Sequence, residues 1–480
     1  MSIKTRFQGP KLATLALAAL LSACAATAPL APSLKAVPAA WAAPLPHGGQ
    51  AGQLKQWWTR LDDEALVALI ASAQQTNPSL DIALARIGQA RAQLGSSRAA
   101  QLPQLNASAS ATRGRLALPS NSTATTTAVL GLDASWELDL FSQQRHQTQA
   151  AEARAQASEL DWHGARVSLA AEVAQTYLAY RACEASAAIL AQDAEALSRM
   201  SGLTAKKVAA GMEAQANGQQ LDASAADARS RHLGQQAECE VLIKGLVALS
   251  GKPEAGLREL LKPGSARLPQ PAAFEVASVP AQVLAQRPDL AAAERQVVAA
   301  LAEVGAAEAA RWPQLRLGGG LSRGELRVGG GSDSGNGWSF GPSLSLPLFD
   351  GGQRKAGVDA ARARSDEAYA QYRASAIQAV REVEEALVRL DAAQAREADA
   401  QRAASGYEQV QGATAARWQA GLGNLIELEE SRRNALNARS SLLQVQRERV
   451  GAWLSLYKAA GGGWEASDAV TPVPHMTVSR

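Results

Sequence analysis

The sequence predicts a mainly α-helical protein with a smaller β-part, built from two similar halves. Proline is absent from about 143–206 and from about 353–407, and each stretch is long enough for roughly 80–95 Å of helix. Four runs of about ten residues alternate apolar and polar side chains, which is typical of β-strands. The chain also repeats itself at a constant offset of 210 residues.

The N-terminus has the layout of a secretory signal peptide. Basic residues in the first eleven positions precede an apolar run, residues 12–21, that is too short to span a membrane. Ser22-Ala23-Cys24 follow the run, and Leu21-Ser22-Ala23-Cys24 resembles the bacterial lipobox. This predicts cleavage before Cys24, with a diacylglycerol and an N-acyl chain on that cysteine. An ordinary cleaved signal with a chance cysteine is the alternative. Asp directly after the lipidated cysteine would indicate retention in the inner membrane. This chain has Ala25 at that position, which favours the outer membrane. No later segment is apolar over a length that predicts a transmembrane helix.

The charge balance and the scattered histidines argue against several functions. The formal net charge is +3, and three basic residues lie in the leader, so the rest of the chain is neutral and no nucleic-acid partner is expected. The five histidines have no metal-ligand spacing, and the glycine-rich stretch 329–337 lacks the Lys-Ser/Thr of a phosphate loop. We therefore expect no enzyme, no metal site and no cofactor beyond the lipid on Cys24.

The internal repeat divides the chain. Its best markers are prolines and glycines at matching positions: Asn77-Pro78 with Arg287-Pro288, Leu102-Pro103-Gln104-Leu105 with Trp312-Pro313-Gln314-Leu315, and Ala210-Gly211 with Ala420-Gly421. The predicted parts are a signal peptide (1–23), a lipidated tether (24–60), repeat 1 (61–251), a linker without clear periodicity (252–280), repeat 2 (281–464) and a tail (465–480). Each repeat is expected to contain a helix, a strand pair (about 104–140 and 314–349) and a helical hairpin (143–250 and 353–460).

The strand runs have one apolar face and one polar face. In repeat 1, Leu130, Leu132, Ala134, Trp136 and Leu138 alternate with Asp133, Ser135 and Glu137. This length and alternation suit transmembrane strands around a wet lumen, and a soluble β-sandwich is the alternative. Four strands cannot close a barrel, and lipid does not tolerate open edges, so we expect three copies to pool twelve strands. The stretches 120–127 and 329–337 are predicted as loops.

The long helices are expected to turn back at Gly211 and Gly421. Tyr372, Ala376, Val383, Leu387 and Leu390 have helical spacing, and Leu436, Leu443, Val450 and Tyr457 form a seven-residue repeat that predicts coiled-coil packing. Cys183 and Cys239 lie at equal distances from Gly211, which puts them at the same height on one hairpin. A periplasmic disulfide and two separate buried thiols both remain open.

Several motifs together resemble the TolC-like outer-membrane efflux proteins, and most closely the OprM/NodT-type lipoprotein branch of resistance-nodulation-division efflux systems. They are Trp57-Trp58, the Asn-Pro and Arg-Pro-Asp starts of the repeats, Ala134–Phe141, Leu346–Gly352 and Gly461–Trp464. The resemblance covers about residues 54–464. It implies a homotrimer in which a 12-stranded outer-membrane β-barrel continues into a periplasmic α-helical barrel. It also implies a periplasmic adaptor and an inner-membrane resistance-nodulation-division transporter as partners, with small molecules conducted passively.

The resemblance also assigns residues at the periplasmic end. The adaptor-contacting tips are 208–215 and 418–425, with Gly211, Met212, Gly421 and Leu422 at their turns. Glu427 and Glu430 correspond to an acidic ring at the constriction, with Arg433 placed to pair with Glu430 or Glu429. Glu429 stands where relatives usually have an apolar residue, and Asn217 where they often have Asp. A solvated charged face is the alternative for these residues.

Two other functions remain open. The same channel fold could be an exit duct for type I protein secretion or for metal efflux, although only four methionines occur for binding copper or silver. A periplasmic adaptor lipoprotein is a further alternative, but it would have one hairpin and a lipoyl-like β-domain. Small-molecule efflux is therefore the leading prediction.

Overall fold

The computed structural model describes residues 57–115, 123–269 and 284–462, together with residue 42. The signal peptide, Cys24, nearly all of the tether, the end of the linker and the C-terminal tail lie outside the described residues. Two compact units are present, and each draws on both repeats. In the described part of the chain, one comprises 86–115, 123–158 and 292–372, and the other comprises 57–85, 159–269, 284–291 and 373–462. The repeats are therefore not the compact units, because strands from both repeats pair in one sheet.

The described chain is mostly helical, which confirms the predicted fold class. The helices are α1 (Glu64–Thr76), α2 (Pro78–Ala99), α3 (Gln143–Ala209), α4 (Gln215–Ser250), α5 (Glu254–Leu261), α6 (Pro288–Ala309), α7 (Gln353–Gln419) and α8 (Leu425–Ala459). Helices α3 and α7 each have 67 residues, which is about 100 Å at the helical rise. Both α2 and α6 begin at a proline, where the missing N–H costs nothing. Among the described residues, no helix has the length and apolar character needed to cross a membrane.

The four strands form one antiparallel sheet. They are β1 (Gln104–Gly114), β2 (Thr125–Leu138), β3 (Gln314–Val328) and β4 (Gly331–Ser345), in the spatial order β1-β2-β3-β4. Each repeat contributes one hairpin, and β2 pairs with β3 to join the two repeats. Strands β1 and β4 have a partner on one side only, so the sheet has two open edges.

The prediction of a loop over 329–337 is wrong. Strand β3 continues to Val328 and β4 begins at Gly331, so the connection is Gly329-Gly330 alone, with φ of 58° and 92°. Positive φ at both positions is the requirement of a type I′ two-residue hairpin, and glycine adopts it without steric cost. The remaining glycines and serines of the stretch lie in β4, held by pairing with β3. Likewise, β2 begins at Thr125, inside the loop predicted over 120–127.

The second unit has a buried core in which α1 packs among the long helices. Its members include Leu69, Ile70, Tyr177, Leu246 and Tyr457, each with essentially no exposed surface. The predicted helical stripe on α7 is confirmed, since Tyr372, Ala376, Val383, Leu387 and Leu390 are all buried. Of the α8 heptad, Val450 and Tyr457 are buried, and Leu436 and Leu443 are half-buried.

The segment predicted as an aperiodic linker contains helix α5. Leu257 and Leu261 bury its apolar side. Arg181 of α3, which is buried, donates to the Leu261 carbonyl at 2.8 Å and to the Pro263 carbonyl at 2.8 Å. The same guanidinium donates to the Tyr177 hydroxyl, which in turn donates to Asp63 at 2.6 Å. Three leucines in eight residues are too few for a sequence periodicity, but these contacts hold the helix in place.

Candidate functional site

The two hairpin tips have the same backbone geometry. In the first, Gly211 has a φ of 70° and the Met212 N–H donates to the Lys207 carbonyl at 2.8 Å. In the second, Gly421 has a φ of 75° and the Leu422 N–H donates to the Arg417 carbonyl at 2.9 Å. These are helix C-terminal caps with a left-handed glycine. The predicted turns at both glycines are therefore confirmed.

Apolar side chains lie exposed at these tips. Met212 is 72% exposed and Leu422 is 73% exposed, although both are large and apolar. Ile426, in the first turn of α8, is equally open. A cation–π contact links the two hairpins here, with the Lys207 Nζ 4.9 Å from the centre of the Trp418 ring. The tips thus present apolar side chains on helix ends that are connected to each other.

The acidic residues after the second tip differ in exposure. Glu427 and Glu430 are exposed, three residues apart on one face of α8, whereas Glu429 is half-buried. The backbone N–H of Glu427 donates to the side chain of Asn424, the N-cap of α8, at 2.8 Å. A negative charge in the first helical turn also suits the helix dipole. The Glu427 charge therefore stabilises the N-terminus of α8 in addition to lying near the tip.

The predicted pairing of Arg433 with Glu430 or Glu429 is not formed within the single chain, and its place at the mouth of a trimer stays a prediction. Arg433 is exposed and forms no ion pair with either glutamate in the described structure. Its neighbour Arg432 is the arginine that pairs with Glu429, at 3.1 Å, and it also pairs with Asp193 of α3. One residue along a helix is a rotation of about 100°, so Arg432 points inward with Leu428 and Arg433 points outward.

The Arg432 cluster is buried, and sequence reasoning did not identify it. Asp193 accepts from Arg432 on one carboxylate oxygen, and the other oxygen lies 3.6 Å from Arg231 of α4. Burial alone would lower the pKa of Arg432, but the hydrogen bond and charge of Asp193 and the charge of Glu429 outweigh it, so the pKa is raised. The cluster joins α3, α4 and α8 near the tips. No local pattern could have found it, since Asp193 and Arg432 are 239 residues apart.

Asn217 lies at the start of α4, two residues beyond the first tip. It is half-buried, and its side-chain amide donates to Glu213 at 2.7 Å. The N-cap of α4 is Ala214, which has no side chain to cap the helix. The Asn217–Glu213 hydrogen bond therefore stabilises the start of α4, whereas at the second tip Asn424 caps the start of α8.

Cys183 and Cys239 are joined by a disulfide in the structure. Their Cα atoms are 5.6 Å apart, between α3 and α4 of the first hairpin. Of the two alternatives left open by the sequence, the structure has the bonded pair. Among the described residues, no group of three or more His, Cys, Asp or Glu side chains is placed to hold a metal ion.

The sheet has an exposed apolar face and a polar face, as the alternation predicts. Cross-strand pairs define the apolar face, which carries Leu105, Ala107, Leu130, Leu132, Ala134, Trp136, Leu315, Leu317, Leu321, Trp338, Phe340 and Leu344. Most of its large side chains are exposed, including Trp338 at 80% and Phe340 at 75%. Phe141 and Trp312 stack 5.5 Å apart at the helix-connected end of the sheet. An apolar surface of this size in one chain indicates a partner or a lipid environment.

The polar face carries the charges of the sheet's central part. Asp133 and Glu137 project from β2, and Arg316 of β3 donates to Glu137 at 2.9 Å. Serines and glycines fill most of the neighbouring positions, such as Ser108, Ser135, Gly318 and Gly320. This face suits contact with water.

The comparisons with known proteins agree with this geometry. The family described as outer membrane efflux protein matches residues 69–252 and again 279–462, two copies spaced by the 210 residues of the internal repeat. The chain is 30% identical over 423 residues to outer membrane protein OprJ of Pseudomonas aeruginosa, covering 87% of this chain and 88% of that protein. It is 30% identical over 463 residues to the pyoverdine export outer membrane protein OpmQ of the same species, covering 93% of this chain and 95% of that protein. The crystal structure of the Campylobacter jejuni CmeC outer membrane channel superimposes with a TM-score of 0.79 at 25% identity, covering 92% of this chain and 96% of that one.

Proposed function

The chain belongs to the outer membrane efflux protein family and is an outer-membrane efflux channel, and we propose that it works as a homotrimeric exit duct of a tripartite small-molecule pump. Members of this family are channels, and we assign the chain no catalytic activity and no cofactor. The protein spans the outer membrane and extends into the periplasm.

The proposal of a trimer rests on two features of the sheet, its exposed apolar face and its two open edges. Four strands leave unpaired backbone groups on β1 and β4, and such edges are not tolerated in lipid. Edge-to-edge pairing of β4 with β1 of the next copy satisfies these groups, and three copies give twelve strands. The apolar face then contacts lipid, and the polar face with Asp133, Glu137 and Arg316 lines a water-filled lumen.

At the periplasmic end, the exposed tips support contact with a periplasmic adaptor. Met212 and Leu422 offer apolar anchors on rigid helix ends. Glu427 and Glu430 are exposed beside the second tip, so three copies place six carboxylates around the mouth, the opening at the tips. Such a ring selects for cations and responds to divalent ions. Behind the adaptor stands an inner-membrane transporter of the resistance-nodulation-division type.

The cargo and the lipid anchor complete the proposal. Small organic molecules are the proposed cargo, in line with the pyoverdine export named for the relative OpmQ. Cys24 is proposed to carry the diacylglycerol and N-acyl lipid, which anchor the N-terminus in the membrane. Incorporation of radiolabelled palmitate into the wild type, and its absence from a Cys24→Ala variant, tests this anchor.

A photo-crosslinking experiment in cells tests the pump assignment. The photoreactive residue replaces Leu422 at the tip, and in a control protein it replaces Val388, which is exposed on α7. Mass spectrometry then identifies the captured proteins. We expect an adaptor associated with a proton-driven transporter to be captured from Leu422 only. An adaptor associated with an ATP-driven exporter would indicate secretion instead, and equal capture from both positions would contradict the tip assignment.

A further inference from the structure

The hairpin end of the apolar face carries arginines. Its register defines three successive rows beyond the Leu321–Trp338 pair, which is the last row with an exposed aromatic side chain. The rows are Ala109–Leu130–Arg323–Asn336, Ala111–Ala128–Glu325–Ser334 and Arg113–Thr126–Arg327–Ser332. Three arginines and one glutamate therefore lie on the same face as the apolar band, but only at the end remote from the helices.

In the proposed trimer, the rows lie at the depth of lipid headgroups. Exposed tryptophans such as Trp338 mark the membrane–water interface of a barrel. Each row is two residues further along the strand, which is about 5 Å along the axis of a barrel whose strands tilt by about 40°. Arg323 thus lies about 5 Å and Arg327 about 15 Å beyond the tryptophan level. The arginines are out of the hydrocarbon and beside the phosphates of the outer leaflet.

The charges of this cluster are unbalanced. Arg327 pairs with Glu325 at 2.6 Å. Arg113 and Arg323 are exposed, and neither forms an ion pair with another side chain in the described structure. Glu325 lies between Arg323 and Arg327 and is paired with Arg327, and the other neighbouring positions carry the small side chains of Ala111, Ala128, Ser332 and Ser334. The cluster has a surplus of two positive charges per chain in an accessible depression.

We propose that Arg113, Arg323 and Arg327 bind the phosphorylated headgroup of outer-leaflet lipid. A guanidinium presents paired N–H donors that match phosphate oxygens, and charge-assisted bonds of this kind are strong. The occupant is a membrane lipid because the site continues the lipid-facing apolar band without a gap. A cargo molecule in the lumen meets the other face of the sheet, where the arginine is Arg316 and is already paired with Glu137.

This inference rests on the proposed trimer, since the trimer decides which face is outward, but it does not depend on the cargo or the adaptor. Native mass spectrometry of the purified full-length protein reports the oligomer and its bound lipid in one spectrum. Failure of the trimer and failure of the lipid site are therefore distinguishable.

The experiment compares two probes, bis-phosphorylated lipid A and the same lipid A after removal of both phosphates. Each is added to the trimer in neutral detergent with EDTA, so that no divalent cation bridges the lipid to Glu325. The variant is Arg323→Gln with Arg327→Gln. The control is Arg316→Gln, the same substitution on the same strand but on the lumen face.

We expect the wild type and the Arg316→Gln control to retain the phosphorylated lipid. The double variant should retain it about thirtyfold less, the equivalent of about 1 kcal/mol for each of the two arginines. The dephosphorylated lipid should bind poorly to all three proteins. Equal retention of both lipids by the wild type, or full retention by a trimeric double variant, would overturn the proposal. If the double variant does not form a trimer, the experiment uses Arg113→Gln with Arg323→Gln instead. The same results are expected of that variant.

Discussion

Arg432 of α8 and Asp193 of α3 form an ion pair in which the two side chains are only 10% and 5% exposed. The pair ties the second hairpin to the first close to the tips. A second arginine, Arg231 of α4, lies 3.6 Å from the same carboxylate, and Glu429 contacts the other side of Arg432. The relationship between the two hairpins therefore depends on a small group of buried charges.

Loss of Arg432 should destabilise the tip region strongly. The Arg432→Met substitution leaves the Asp193 carboxylate buried with only Arg231 nearby, and breaking a buried pair in this way costs about 3–5 kcal/mol. We expect a lower temperature of thermal unfolding, measured by circular dichroism of the trimer in detergent. The variant Arg432→Met with Asp193→Leu should recover most of the loss, because an apolar pair of similar volume replaces the charges.

Arg433→Met is the matched control, because Arg433 is adjacent in sequence and exposed. A surface substitution of this kind changes stability by less than about 0.5 kcal/mol. If Arg433→Met and Arg432→Met lowered the unfolding temperature equally, the buried cluster would not be the cause.

These two arginines also show how far the sequence can predict the site. The repeat follows from matching residues at a constant offset of 210, and the glycine turns and the two faces of the sheet follow from spacings that are local in the chain. The choice between Arg432 and Arg433 depends on a rotation of about 100°, and on Asp193 in another helix. The helix in the linker and the Gly329-Gly330 turn were not predicted for a related reason. Contacts with other parts of the chain determine such short elements, and these contacts leave no periodicity in the sequence.

Acid should weaken the start of repeat 2 through Asp289. Burial would raise the pKa of Asp289, but the hydrogen bonds and charge of Arg287, at 2.6 and 3.0 Å, outweigh it and hold the pKa below its usual value. A carboxylate with a lowered pKa contributes stability above its unfolded-state pKa of about 3.9, and this contribution is lost as the pH falls toward the lower folded value.

We therefore expect the unfolding temperature of the wild type to fall more steeply below about pH 4 than that of Asp289→Asn. Thermal unfolding followed by circular dichroism at stepwise lower pH measures both slopes. Asp399→Asn, on the exposed surface of α7, is the control and should keep the wild-type slope. Parallel curves for Asp289→Asn and the wild type would exclude Asp289 as a source of the pH dependence.

Removal of the Cys183–Cys239 disulfide should lower the stability of the first hairpin. The bond closes a loop with a sequence separation of 56, and the chain-entropy model gives about 4 kcal/mol for a loop of that size. We expect Cys183→Ser with Cys239→Ser to unfold at a lower temperature than the wild type, and to the same degree as the reduced wild type. Thiol titration of the unfolded, unreduced protein should find neither cysteine free. Two titratable thiols in protein purified from the outer membrane would contradict the bonded pair.

The last prediction concerns the carboxylates at the mouth. Glu427→Gln with Glu430→Gln removes the charges but keeps side chains of the same size, and the Asn424 cap is retained because it binds the backbone N–H of Glu427. The local cation concentration at a narrow mouth depends on these charges. We expect planar-bilayer recordings under a salt gradient to show a reversal potential closer to zero, with weaker block by divalent cations. The Asp399→Asn control removes an exposed carboxylate outside the α7–α8 tip and should leave the reversal potential unchanged. An unchanged reversal potential in the double variant would place Glu427 and Glu430 outside the conduction path and leave the interaction with the helix dipole as the role of the Glu427 charge.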